Sequence, residues 1–430
     1  MPETNISVNE WSPGKKQVFR FSFIFLSLYI LVNPNDVVPY FHIVQRFTRQ
    51  PFYQLVNWLS GSLLHIPNTL QNSYHTSTDT AFNYLVVLFT VCFACVGSVI
   101  WLFADRKSTN YNRFSEIIFI VLRYYLGITW IAYATLKVIH LQFPELTPIT
   151  LSHTYGESLP RELAWNFMGY SAGFSYFVGI SEYTIGILLF FRRTYTIGNL
   201  IAIGALINIL AFNYYFDDNV KLLSTMLMVM SFLLLSKDIK PLINFFFHGK
   251  AAPIETMRFF NFDTKKRNIF NALKFGLIVF VIFFDLHTFS TRAKQLGYMG
   301  EKPPLYGLYD VKTFIVNNDT LRPLTTDTFR WNKLVVSLPG KAAIIMMNDN
   351  MRYFNINTDT TKRFIRLTAK NDTSNKYMFT YDLKETVLSF KGKHYNDSIR
   401  MQLKQVKLDS LPLLKHKFHW VVEHQKQLER

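Results

Sequence analysis

The chain has few cysteines, with only Cys92 and Cys95 among its 430 residues. Two cysteines rule out a disulfide framework. Both lie inside an apolar run in mid-helix, so their CxxC spacing indicates ordinary packing and not a redox motif. The histidines His65, His140 and His153 have no metal-ligand spacing between them, and we therefore predict no metal site.

Acidic residues are also scarce, with 29 Asp and Glu against 46 Lys and Arg, and the formal net charge is +17. Such an excess is found in nucleic-acid-binding proteins, but here no basic run is interleaved with polar loops as that binding requires. The excess lies beside apolar segments instead. We therefore predict no nucleic acid among the partners of this protein.

Long apolar segments dominate the first 290 residues. Seven of them are long and apolar enough to approach or span a bilayer of about 30 Å, which predicts a polytopic bundle with the lipid bilayer as a partner. The first has no small-residue cleavage site after it, which favours an uncleaved anchor. The segments lie near residues 17–33, 81–104, 115–142, 166–191, 195–214, 220–236 and 269–289.

The distribution of Lys and Arg between the connections predicts the orientation of these segments. One side receives only Arg46, Arg49 and Arg161. The other side, which we take as cytoplasmic with the N terminus, receives Lys15, Lys16, Arg20, Arg106, Lys107, Arg113, Arg192, Arg193, Lys237, Lys240, Lys250, Arg258, Lys265, Lys266 and Arg267. An odd number of spans then places everything after residue 290 on the far side of the membrane.

From about residue 305 the pattern changes to short alternating runs that are separated by turn residues. This pattern is typical of an antiparallel meander, which forms either a small barrel or a sandwich. Eight runs are visible: LYGLYDVKTFIV, FRWNKLVVSL, KAAIIMM, RYFNIN, RFIRLTA, YMFTY, TVLSFKG and SIRMQLKQV.

Two charges lie deep inside apolar segments and predict a buried pair. Arg123 follows Arg113 by ten residues, and Glu182 precedes Arg192 by ten residues, so both would lie about 15 Å into the membrane from the same side. A lone charge at that depth is costly, which makes Arg123 and Glu182 natural partners. The pair either fixes helix register alone or also lines a ligand pocket.

A second polar group is expected near the outer surface, and it provides the candidate ligand-binding residues Lys137, Lys221, Tyr170 and Asn213. For the two lysines the alternative is that they extend to the outer headgroups. For Asn213 it is an ordinary interhelical hydrogen bond. The residues alone assign no catalytic role.

Three stretches resemble the membrane core of the DoxX family: RYYLGITWIAYATLKVIHLQFP, the NFMGYS to FFRRT segment, and NILAFNYYFDDNVKLLSTMLMVMSFLLLSKDIKPLINFF. The C-terminal part resembles the extension of longer bacterial members in LYGLYDVKTF, TTDTFRW and FHWVVEH, so the resemblance covers about 115–247 and 305–424. By matching positions it implies that Arg123, Lys137, Glu182 and Lys221 are the family's polar residues. Ala134 stands where a glycine commonly precedes the lysine motif.

The resemblance implies a redox-associated inner-membrane protein. The family's namesake belongs to a membrane thiosulfate and quinone oxidoreductase, and in the related vitamin K-dependent carboxylases a lysine acts on a quinol. This chain lacks an outward-facing redox cysteine, which argues against thiosulfate chemistry. We therefore expect a quinone or similar lipid-soluble ligand in the bundle, and with it a component of a quinone-linked oxidoreductase.

The predicted architecture has four parts. They are an N-terminal transmembrane pair with an outer amphipathic loop (1–110), a DoxX-like four-helix membrane core (111–250), a cytoplasmic loop with the seventh helix (251–299) and a small all-β periplasmic domain (300–430). Two other functions remain open. One is a non-enzymatic scaffold or sensor whose β domain binds a protein partner or lipid, and the other is a small-solute transporter, for which no inverted repeat is visible.

Overall fold

The structure is a computed structural model that describes residues 10–32, 38–66, 79–250, 264–415 and 420. The chain divides into two compact units. The helical unit comprises Met1–Phe143 and Pro160–Ser290, and the barrel unit comprises Pro144–Leu159 and Thr291–Arg430. Residues 251–263 of the predicted cytoplasmic loop and most of the FHWVVEH segment lie outside the described residues.

Helices make up the described part of the helical unit. In chain order they are α1 (Pro13–Val32), α2 (Phe41–Leu64), α3 (Ala81–Ala104), α4 (Asn112–Val138), α6 (Pro160–Tyr170), α7 (Ala172–Phe190), α8 (Tyr195–Tyr215), α9 (Lys221–Leu235), α10 (Ile239–His248) and α11 (Thr264–Gln295). The barrel unit contains two short helices, α5 (Pro148–Ser152) and α12 (Pro412–Lys415).

Five of the described helices are long and apolar enough to cross a membrane: α3, α4, α7, α8 and α11. A sixth crossing is obtained if α9 and α10, which meet at a 75° bend, count as one broken span. By this criterion the described helices supply five or six crossings and not the predicted seven, because α1 carries Lys15, Lys16 and Arg20 within its first turns. Five or six such helices are compatible with a multi-pass membrane protein.

The predicted amphipathic segment of the outer loop forms α2. Its residues Tyr53 and Val56 are fully buried and pack with Phe82 of α3. Trp58 and Phe47 are exposed on the same helix. This two-sided pattern is expected of a helix that covers the bundle with one face.

Helices α4 and α7 run antiparallel at unusually close range because glycines line their contact. A Cβ atom at Gly186 would lie 3.0 Å from the carbonyl oxygen of Gly127, and one at Gly179 would lie 3.1 Å from that of Ala134. Small residues of this kind allow helix backbones to approach in a membrane bundle. Ala134, which departs from the glycine of the DoxX pattern, faces Gly179 on the partner helix.

The barrel unit is an eight-stranded antiparallel barrel, which resolves the choice between barrel and sandwich. Its strands are β1 (Gly307–Val316), β3 (Trp331–Val336), β4 (Lys341–Met346), β5 (Met351–Asp359), β6 (Phe364–Ala369), β7 (Lys376–Lys384), β8 (Val387–His394) and β9 (Asp397–Val406). Each pairs with its neighbour in sequence, and β1 also pairs with β9, which closes the sheet. The two-residue strand β2 (Asp319–Thr320) pairs with β1.

The barrel interior is filled with side chains that alternate along the strands, including Trp331, Phe314, Phe379 and Ile399. The eight predicted strands are confirmed. Alternation is a local pattern of period two and identifies most of these strands, whereas β4 is buried at five successive residues because both of its faces are covered.

One outer face of the barrel is also apolar, and it is covered by the segment 144–159. Leu308, Val335, Ala343 and Ile345 form this face, with Ile149 of α5 packed against them. We had assigned this segment to the membrane core 111–250. It packs on the barrel instead, because a sheet face of this composition gains stability when it is removed from water.

Candidate functional site

A cavity of about 240 Å³ lies within the helical unit, among α4, α6, α7, α8 and α9. Its walls are mostly apolar and include Phe143, Phe174, Leu206, Phe212, Leu223 and Leu227. About half of the lining residues carry polar side chains, although the surface that they expose to the cavity is mostly apolar. Mostly apolar cavities with a few polar groups are typical of small-molecule sites.

A buried ion pair forms one wall of the cavity. Nζ of Lys137 on α4 donates a hydrogen bond to Oε2 of Glu182 on α7 over 2.8 Å. Both side chains are less than a tenth exposed. Since each charge neutralises the other, neither is left alone in an apolar environment.

The predicted pairing of Glu182 with Arg123 was therefore wrong. Arg123 is buried, but its Nε donates to the carbonyl oxygen of Leu189 over 3.0 Å, and its Nη2 donates to that of Phe190 over 2.9 Å. These are the last residues of α7, whose final carbonyl groups have no partner within the helix. Arg123 and Glu182 are each ten residues from a flanking arginine, but they do not lie at the same depth. The reason is that α4 begins well before the level at which α7 ends.

Two buried polar atoms without a partner belong to residues that line the cavity. Nε1 of Trp130 and Oε1 of Gln142 are buried and have no hydrogen bond in the described part of the chain. Native proteins rarely leave such groups unpaired, and each case calls for an explanation. Trp130 thus has a donor and Gln142 an acceptor that no described group satisfies.

Sequence reasoning missed both groups, although a signal existed for Trp130. It lies seven residues after Arg123 and seven before Lys137, on the same helix stripe. Gln142 follows the end of α4, where no periodicity applies.

Of the four predicted ligand-binding residues, the structure brings Lys137 and Asn213 to the cavity. The amide Nδ2 of Asn213 donates to Oγ of Ser224 over 3.0 Å, so it also links α8 with α9. Lys221 does not line the cavity: its Nζ contacts Oδ1 of Asp217 at 2.6 Å. Tyr170, at the end of α6, is 44% exposed and does not line it either.

One end of the cavity is bounded by a second charged group. The buried carboxylate of Asp218 accepts a hydrogen bond from Nε1 of Trp165 over 3.0 Å and pairs with Nε of Arg161 at 3.0 Å. Arg161 is partly exposed. Asp218 is therefore already satisfied, in contrast to Trp130 and Gln142.

The residues that line the cavity include both hydrogen-bond donors and acceptors. Lys137 and Trp130 can donate hydrogen bonds to carbonyl oxygens, while Glu182 and Gln142 can accept them from hydroxyls. In the described ranges, no three His, Cys, Asp or Glu side chains form a group that could hold a metal ion. Cys92 and Cys95 are free thiols on α3, and neither lines the cavity.

Comparison with known proteins gives one informative relative. The chain is 36% identical over 134 residues to the uncharacterized protein YwoB of Bacillus subtilis (strain 168), which covers 31% of this chain and 83% of YwoB. It belongs to the YwoB family. No protein-family model matches the chain, and no solved structure matches it significantly. Membership of the YwoB family assigns no activity, and the resemblance to the DoxX family stays a prediction.

Proposed function

We propose that this protein is a multi-pass inner-membrane protein whose helical bundle binds a quinone, or a similar lipid-soluble molecule, in the cavity beside Lys137 and Glu182. The observation that carries the proposal is that Trp130 and Gln142, each with a buried polar atom that has no partner, line the same cavity as the ion pair. A DoxX-like bundle is part of the same proposal.

The chemistry of a quinone fits these groups in both of its redox states. The oxidised ring has carbonyl oxygens, which accept hydrogen bonds from Nζ of Lys137 and Nε1 of Trp130. The reduced ring has hydroxyls, which donate to the carboxylate of Glu182 and to Oε1 of Gln142. Each buried polar group left unpaired costs about 1 to 3 kcal/mol, so a ligand that satisfies both orphan groups gains affinity.

In this proposal Lys137 and Glu182 act as a pair. Lys137 orients the headgroup through a charge-assisted hydrogen bond, and the carboxylate of Glu182 accepts a hydrogen bond from a quinol hydroxyl. Electron transfer needs a redox partner, so we propose a component of a quinone-linked oxidoreductase and not a complete enzyme.

The proposed membrane topology is supported by the two chain segments that together make up the barrel unit. Segment 144–159, between α4 and α7, belongs to the same compact unit as the barrel that follows α11. Both must then lie on one side of the membrane, which requires an even number of crossings between them. Helices α7, α8 and α11 supply three, so we propose that α9 with α10 supplies the fourth.

Helix α1 completes seven crossings in this proposal. It runs along α3, since Gln17 donates a hydrogen bond to Ser98 and Val32 packs in one cluster with Phe82. Its cations lie at the level of the α3–α4 loop, where Nζ of Lys16 donates to the carbonyl oxygen of Ser108. With the N terminus in the cytoplasm, as the positive charges favour, the barrel is periplasmic.

Quinone binding is tested by thermal melts of the purified protein in detergent with a short-chain quinone. We expect the quinone to raise the melting temperature of the wild type, and Trp130→Phe and Gln142→Leu to weaken binding about two- to tenfold by removing one hydrogen bond each. Lys221→Met, outside the cavity, is the matched control and should bind normally. A shift that is absent, or equal in all four proteins, would exclude the proposed site and favour the scaffold alternative.

Topology is tested separately with single cysteines in a background that lacks Cys92 and Cys95. Gly300→Cys should react with a membrane-impermeant maleimide in intact spheroplasts. Asn110→Cys and Arg193→Cys should react only after the membrane is opened. Protection of Gly300→Cys would contradict the periplasmic barrel.

A further inference from the structure

Helix α11 carries a buried acid that the proposed function does not use. Asp285 lies ten residues before the end of this helix and is only 1% exposed. Its Oδ2 atom is buried and makes no hydrogen bond within the described ranges. No Lys, Arg or His side chain pairs with Asp285 in that part of the chain.

The position of Asp285 on α11 places it against α4 and α7. Val281 and Ile278 precede it by four and seven residues, so they share its helix face, and both are buried in one cluster with Ile131 and Phe190. Tyr183 of α7 packs against this cluster.

The hydrogen bonds of Thr135 and Tyr183 bear on whether Asp285 is charged or neutral. Oγ1 of Thr135 donates its proton to the carbonyl oxygen of Ile131 over 2.8 Å. The 2.7 Å contact between Thr135 and Tyr183 therefore has the Tyr183 hydroxyl as donor. With its only proton committed, the Tyr183 oxygen can accept a hydrogen bond but cannot donate one. Tyr183 therefore has no proton to offer to a carboxylate at Asp285, whose Oδ2 makes no hydrogen bond within the described ranges.

We propose that Asp285 is a proton-binding site within the helical unit: it is a neutral acid in the resting protein and exchanges its proton when water reaches it. A bare carboxylate in an apolar environment takes up a proton in preference to staying charged. Glu182 differs because Lys137 neutralises it at 2.8 Å. The inference goes beyond the proposed function and does not depend on quinone binding.

Proton exchange at Asp285 is linked to the packing of α11. The side chain is almost fully enclosed, so loss of its proton requires water to enter between α11 and the α4–α7 pair. Buried acids of membrane helices that face the protein interior commonly serve proton pathways, and Asp285 has the burial and the neighbours of such a group.

The test is infrared difference spectroscopy on the full-length protein in detergent at neutral pH. The wild-type spectrum minus that of Asp285→Asn should contain the carbonyl stretch of a protonated carboxylic acid, and this band should shift in D2O. The matched control is Glu182→Gln, whose difference spectrum should contain carboxylate bands instead.

Two results would overturn the proposal. Carboxylate bands in the Asp285→Asn difference spectrum would show a charged residue, and an acid band that never shifts in D2O would show a sealed proton. If Asp285→Asn does not fold, aspartate labelled with carbon-13 in the wild-type protein gives the same test, because only a protonated aspartate shifts the acid band.

Discussion

Lys137 on α4 and Glu182 on α7 form a buried hydrogen-bonded ion pair with an Nζ to Oε2 distance of 2.8 Å. The pair joins the two helices at the point where Gly179 brings their backbones together. It also forms part of the cavity wall. The same two residues therefore contribute to helix register and to the chemistry of the cavity, which makes their energetic coupling the first quantity to measure.

We expect Lys137→Met and Glu182→Gln each to lower the free energy of unfolding by about 3 to 5 kcal/mol, because each leaves an unpaired buried charge. The double variant should lose much less than the sum, since it contains neither charge. Melts in detergent, combined as a double-mutant cycle, measure this coupling. The control cycle joins Glu182→Gln with Arg123→Met, and its effects should add. Additive effects in the first cycle would mean that the two charges are not paired.

Arg123 should stabilise the end of α7. Its guanidinium binds the carbonyl oxygens of Leu189 and Phe190, where a cation also interacts favourably with the helix dipole. Arg123→Met should lower stability by about 2 to 4 kcal/mol because buried charge-assisted hydrogen bonds are lost. Hydrogen exchange should accelerate in the last turn of α7 before the rest of the helix. The exposed Lys107→Met serves as control, and equal effects of both variants would reject this role.

Two glycine substitutions should have opposite effects, because one lies at the close contact of α4 with α7 and the other lies away from it. Gly186→Ala places a Cβ atom 2.9 Å from Cγ1 of Ile131 and should destabilise by about 1 to 3 kcal/mol. Gly204→Ala on α8 meets no atom within 4 Å and should stabilise by about 0.5 to 1 kcal/mol. Thermal melts of both variants decide the matter, and a tolerated Gly186→Ala would show that the helices can separate freely.

Segment 144–159 should stabilise the barrel through Ile149. Ile149→Ser removes apolar contact with Val335 and Ala343 and should cost about 1 to 3 kcal/mol. Hydrogen exchange should increase in β3 and β4 in particular, while Tyr155→Ser, at a side chain that is 79% exposed, should change nothing. Lack of any effect of Ile149→Ser would mean that the barrel does not need this cover for its stability.

An excised fragment of residues 300–430, which lacks segment 144–159, should keep its strands. It should also bind a synthetic peptide of residues 144–159.

Acidification should weaken the connection between α1 and the α3–α4 loop. Hydrogen bonds from Ser108 and Tyr111 hold the pKa of Asp105 below its usual value, with Ser108 the larger cause. A lowered pKa means that this stabilisation is complete above the ordinary value near 3.8 and is lost as the pH falls through the lower folded value. Asp105→Asn should be less stable at neutral pH but less sensitive to acid. If the melting temperatures of both proteins change in parallel across this pH range, the hydrogen bonds of Ser108 and Tyr111 to Asp105 do not provide this stabilisation.

The strands of the barrel and the apolar helices α3, α4, α7, α8 and α11 could be recognised from the sequence, because both depend on local patterns. Alternation identifies a strand with one buried face, and a long apolar run identifies a helix without reference to the rest of the chain.

Which residue Glu182 meets was decided by tertiary structure. Pairing depends on the offset between α4 and α7, and the glycine contacts set that offset at a distance in sequence. The same applies to the closure of β1 on β9, to the cover that Ile149 provides, and to the unpaired groups of Trp130 and Gln142. Each of these is a relation between side chains that are far apart along the chain, so the packing of whole elements determined it and no local pattern recorded it.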